Sequence, residues 1–122
     1  MDLNRKKVLF IPLEDTLTEG GDVTEFRVRR DVLDKIRKTN ILRIAIVYDE
    51  QDDEDFNTKV KSVEFFVFAY CKVAVTSHKR TECFVDDVMN ILPHNLRRKE
   101  VILSVGEKFE GIDYMDLNTF VG

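Results

Sequence analysis

The stretch Lys7–Leu17, KVLFIPLEDTL, decides how the rest of the chain is read. Val8 to Ile11 is a short continuous apolar run, bounded by charge on one side and Pro12 on the other, as expected of a strand buried on both faces. It runs straight into a polar turn, Leu13-Glu-Asp-Thr16, so carboxylates stand at the end of a buried strand. Strands of this kind occur in parallel sheets, whose faces are covered by helices. The flanking sequence must then supply helices and further apolar strands.

It does so in alternation. Gly20-Gly21-Asp22 is turn chemistry, and Phe26, Val28, Val32, Leu33 and Ile36 recur mostly at helical spacing, predicting a helix over Phe26 to Lys38 that Thr39-Asn40 ends. Ile41 to Tyr48, ILRIAIVY, is rich in β-branched residues and predicts a second buried strand. Acidic residues from Asp49 to Asp55 then favour the start of a helix, for which Phe56, Val60, Val63, Val67 and Tyr70 form the apolar stripe. Lys72 to Thr76 and Glu82 to Asp86 read as two short strands, and Val88 to Leu96 as a brief helix kinked or ended near Pro93. Glu100 to Val105 is the last strong strand, and Met115 to Val121 a terminal turn of helix. Parallel strands need helical crossovers, so the expected fold is α/β, a Rossmann-like three-layer sandwich with a mostly parallel sheet of about five strands in one domain, residues 1–122.

Composition narrows the function. With 43% hydrophobic and 34% charged residues the chain reads as globular, and a net charge of −4 with interspersed signs leaves no basic face for nucleic acid or an anionic membrane. The N-terminal MDLNRKK is polar, and the apolar run behind it is too short for a signal-peptide core or a membrane span, so the expected location is the cytoplasm. Cys71 and Cys83 have no CxxC spacing and lie among apolar residues, which reads as two buried free thiols. His78 and His94 stand near no Ser or Cys in a catalytic arrangement.

KVLFIPLEDTL resembles the first motif of the haloacid dehalogenase-like (HAD) phosphatase superfamily, an apolar strand followed by Asp-x-Asp-x-Thr. CFVDDVMNI resembles its fourth motif, an apolar strand followed by Gly-Asp or Asp-Asp and then, about four residues on, Asp or Asn. ILRIAIVYDE stands where the second motif would be, and GIDYMDLNTFV is similar to the way many members end. The resemblance covers nearly the whole chain and implies the strand order 3-2-1-4-5 without a cap domain. It also implies a degenerate site. The nucleophilic Asp aligns with Pro12, the acid/base Asp with Glu14, and the phosphate-holding Ser or Thr with Tyr48. Lys79 or Lys72 is the remnant of the third-motif lysine, while Asp86 and Asn90 keep the fourth-motif spacing.

Covalent phosphoryl transfer requires an oxygen nucleophile, a cation and a positioned proton donor. Pro12 supplies no such oxygen. Glu14, Asp15, Asp86 and Asn90 are the candidate holders of a weakly bound Mg²⁺, an ion that takes one or two carboxylates and keeps several waters. The leading expectation is therefore a catalytically inactive pseudo-phosphatase, a binding or regulatory module for a protein partner or a phosphorylated small molecule. The alternatives are a residual Mg²⁺-dependent phosphohydrolase using Glu14, Asp15 and Asp86, and a structural oligomerising domain. A receiver-domain reading would need Glu14-Asp15, Lys108 and a phosphoacceptor from Asp49 or Asp86, which stands in the wrong strand context. Val63 to Val75, VEFFVFAYCKVAV, is apolar nearly all round and predicts a homodimer built on that segment.

Overall fold

The computed structural model describes residues 2–19 and 27–122. The expected turn at Gly20-Gly21-Asp22 and the expected helix start at Phe26 lie outside them. The main sheet has five parallel strands: β1 (Val8–Pro12), β4 (Arg43–Tyr48), β5 (Ala74–Lys79), β6 (Ile102–Val105) and β7 (Asp113–Met115), in the order β5-β4-β1-β6-β7. Two short strands, β2 (Thr18–Glu19) and β3 (Arg27–Val28), form an antiparallel pair. The helices are α1 (Arg30–Arg37), α2 (Glu54–Cys71), α3 (Phe84–Ile91) and α4 (Leu117–Val121).

β1 is the middle strand of the sheet, and every residue of it is buried. Its alternation assigns Leu9 and Ile11 to one layer of core and Val8 and Phe10 to the other. β4 repeats this, with Ile44 and Ile46 on the first side and Ala45 and Val47 on the second. The first layer is closed by Val32, Leu33 and Ile36 of α1, by Phe56, Val60, Val63, Val67 and Cys71 of α2, and by Phe120 of α4. The second is closed by Phe84 and Val88 of α3 with Leu92, Leu96, Val101 and Ile112. Helices on both faces of a parallel sheet make the Rossmann-like α/β fold expected from the alternating pattern.

Several boundaries differ from the sequence reading: the helix expected over Phe26 to Lys38 begins only at Arg30, because Arg27–Val28 pairs with Thr18–Glu19, and the helix expected from Met115 begins at Leu117, because Met115 ends β7. The strand placed at Lys72 to Thr76 starts later and runs on to Lys79, since α2 continues to Cys71 and turns out through Lys72, whose N–H closes on the Phe68 carbonyl at 2.8 Å. The strand placed at Glu82 to Asp86 does not form, because Phe84 and Val88 recur at i, i+4 and put both rings and branches on one buried helix face. That helix ends before Pro93, and His94–Leu96 is a single 3₁₀ turn. Segment 80–101 is thus one crossover from β5 to β6, with α3 inside it. The closing GIDYM contributes the edge strand β7, anchored by the buried Lys6 ammonium, which donates to Asp113 Oδ2 at 2.6 Å and to the Glu100 carbonyl at 2.8 Å. Cys71 is buried, but Cys83 is exposed; both are free thiols. Among the described residues no helix is long and apolar enough to cross a membrane.

Candidate functional site

Ligands of open parallel sheets bind beyond the carboxyl ends of the strands. At that edge β1 ends in the buried Pro12 and opens into the wide turn Leu13–Leu17, closed by the Thr18 hydroxyl donating to the Leu13 carbonyl at 2.7 Å. Asp15 takes φ +56°, a left-handed conformation that short polar side chains tolerate, and is exposed. Glu14 points inward, and its Oε1 is buried without a hydrogen-bond partner among the described residues.

Arg80 closes this edge. Its backbone N–H donates to the Tyr48 carbonyl at 2.8 Å, its Nε donates to Asp49 Oδ1 at 2.7 Å, and its Nη1 pairs with Glu107 Oε2. Asp49 follows β4 and Glu107 follows β6, while β1 lies between those strands in the sheet. The Arg80 guanidinium thus joins the two loops that flank the end of β1. Gly106 completes the packing: it has φ +85°, and a Cβ there would stand 2.8 Å from Thr16 Cγ2 and 3.6 Å from Pro12 Cδ.

Burial raises the Glu14 carboxyl above its ordinary range, and the Asp49 charge adds to this, while Arg80 acts in the opposite direction. A carboxyl whose folded-state pKa is raised stabilises the fold below its unfolded pKa, and that contribution fades as pH rises through the folded value. Glu14→Gln removes the titration. The melting temperature of the variant should therefore gain on that of the native chain between pH 4 and 7, as read by thermal melts across that range; a gap that narrows with rising pH would contradict the placement of Glu14.

The expected site residues are only partly brought together. Pro12, Glu14 and Asp15 share the strand-end turn, and Tyr48 stands at the end of β4 with its ring 5.8 Å from Phe56. Lys79 lies at the end of β5 but its ammonium is held by Glu50 Oε1 at 2.6 Å. Asp86 and Asn90 are exposed on α3, a helix rather than a strand end, so the four-residue spacing that suggested a fourth motif is helical periodicity. Among the described residues no three His, Cys, Asp or Glu side chains are grouped to hold a metal ion. His78, its ring nitrogen 2.9 Å from Thr76 Oγ1 and its ring edge-on to Phe84, is a satisfied sheet residue whose burial lowers its pKa.

The residues that sequence reasoning missed are Arg80 and Glu107; Asp49 entered it only as a phosphoacceptor of the receiver-domain reading. Each directly follows a strand or stands one residue beyond it, which was the available signal. Arg80 lies beyond Thr76, where the sequence reading ends the third strand, and Glu107 lies in a loop that none of the expected motifs covers.

Chemically, the end of β1 carries Glu14 and Asp15, with Asp49 and Glu107 on the flanking loops held by Arg80. Four acidic side chains disfavour a phosphate dianion, and the cation is already matched to two of them. Comparison with protein-family models, curated proteins and solved structures yields no match to this chain.

Proposed function

We propose that the chain is a catalytically inactive HAD-like module that acts by binding a protein partner. The observation that carries this reading is the Arg80 guanidinium, paired to Asp49 and Glu107 across the end of a strand whose last residue is Pro12. A cation of the chain's own, on the solvent side of the edge, then stands among carboxylates where a phosphohydrolase would hold its metal and phosphate, and no side-chain oxygen is supplied from position 12.

Two features support the family side of the proposal. Counted along the chain, the five strands of the sheet lie in the order 3-2-1-4-5, the order that the resemblance implies. Val101 to Glu107, an apolar strand followed by Gly106-Glu107, has the form of the fourth motif with Glu in place of Asp, and it occupies a strand end as CFVDDVMNI does not. The acidic edge favours a protein ligand over a phosphorylated small molecule.

The alternative, a residual phosphohydrolase using Glu14, Asp15 and Asp86, requires Asp86 to act from the exposed side of α3. A screen of phosphomonoesters with Mg²⁺ discriminates the two. The expected result is no turnover above the protein-free rate in the native chain; turnover that Asp86→Ala abolishes would replace the proposal with its rival.

A further inference from the structure

The apolar face of α2 is only half used. Phe56, Val60, Val63, Val67 and Cys71 enter the core, whereas Phe65 is 71% exposed and Phe68 52% exposed. One flank of α2 is occupied by α1: the Tyr70 hydroxyl donates to Asp34 Oδ1 at 2.5 Å, and Arg37 lies over the same ring. The other flank faces the sheet edge, because the Ser77 hydroxyl of β5 donates to Glu64 Oε1 at 2.5 Å. Phe68 lies four residues beyond Glu64, on that same side of the helix, with Phe65 next to it on the outward face.

Beside this flank runs β5, an edge strand. It pairs with β4 in unbroken register from Ala74 to Lys79, contains no proline or bulge, and among the described residues has no strand on its outer side. Edges left in this state pair readily with another strand. An exposed aromatic flank and an unprotected strand edge therefore lie along one border of the molecule.

We propose that this border binds a second copy of the same chain, β5 pairing antiparallel with β5 and α2 packing against α2 about a two-fold axis. The charge pattern suits self-association. α2 carries Glu54 and Asp55 in its first turn and is followed by Lys72 at its other end. Glu64 is level with Ser77, so an axis through the middle of β5 sets the Phe68 flanks side by side, with Phe65 at their outer rim, and Lys72 of each copy about level with Asp55 of the other. Two antiparallel helices also place their opposite dipole ends side by side. The same operation continues the five-stranded sheet across both copies, an isologous interface that closes on itself.

The test uses the intact chain at tens of micromolar. Light scattering after size exclusion is expected to give a dimer, and the pair Phe65→Glu, Phe68→Glu to weaken its association at least hundredfold, on the order of the loss of two buried aromatic side chains. Circular dichroism establishes that the variant remains folded. In the native chain, amide hydrogen exchange across β5 should slow as concentration rises. A monomer, a dimer indifferent to the double substitution, or a dimer without concentration-dependent protection in β5 would each overturn the proposal.

Discussion

Phe10→Ala is expected to cost about 3–5 kcal/mol of stability, the range for deleting a large ring from a core that cannot collapse around the gap. Phe10 is fully buried in the central strand and holds the second core layer together. Its ring stands edge-on to Phe84 at 5.1 Å and to Phe109 at 5.8 Å, while those two stack on each other at 5.0 Å. α3 reaches the sheet through Phe84 and Val88, so losing Phe10 loosens the helix packed on that face. Domains are stable by about 5–15 kcal/mol, so the variant should lose roughly a fifth of that margin at the least. Urea unfolding with an unchanged slope measures it, and Phe65→Ala, at an exposed position, should move the midpoint far less. A loss below about 1 kcal/mol for Phe10→Ala would contradict the packing described for that layer.

Gly106→Ala should cost about 2–4 kcal/mol, from two separate causes. The backbone there has φ +85°, which an L-residue resists, and the new methyl would meet Thr16 Cγ2 at 2.8 Å. Thr16 is itself buried in the turn after β1, so it cannot swing aside without opening that turn. The causes separate in a double variant: Thr16→Ala should recover the steric part of the loss and leave the backbone part, measured by the same unfolding experiment. Complete recovery, or none, would show that this description of the β1–β6 junction is wrong. The junction matters because Glu107, the next residue, carries one end of the Arg80 bridge.

How much of this was legible in the sequence follows from which signals were unambiguous. KVLFIP and ILRIAIVY are continuous apolar runs rich in branched residues, and both became fully or mostly buried parallel strands. The stripe of α2 from Phe56 to Val67 was equally clear, and it entered the core. CFVDDVMNI was ambiguous, because a three-residue apolar run before an acidic pair fits a strand end as well as a helix N-terminus. Packing decided: Phe84 and Val88 bury together only on a helix, and its two first-turn carboxylates favour the dipole. Reading that stretch as a strand leaves no room for a crossover between β5 and β6, whereas the structure places α3 there. β7 was illegible for another reason. Asp113–Met115 is only three residues long, and it is held at the sheet edge by Lys6, a partner 107 positions away.

At the candidate site, what was legible was that position 12 carries no side-chain oxygen, because a side chain's chemistry is read directly from its identity. The Arg80 bridge could not be read, since it depends on strand order and on two loop carboxylates, Asp49 and Glu107, meeting in space.

The most direct test of the account exposes the native chain to a phosphomonoester or acetyl phosphate with Mg²⁺, quenches in acid, and weighs the intact protein. With Pro12 at the strand end and Arg80 bound across it, the mass should remain that of the unmodified chain at every time point. A species heavier by one phosphoryl group, with the label mapped to Glu14 or Asp15 by peptide sequencing, would contradict it.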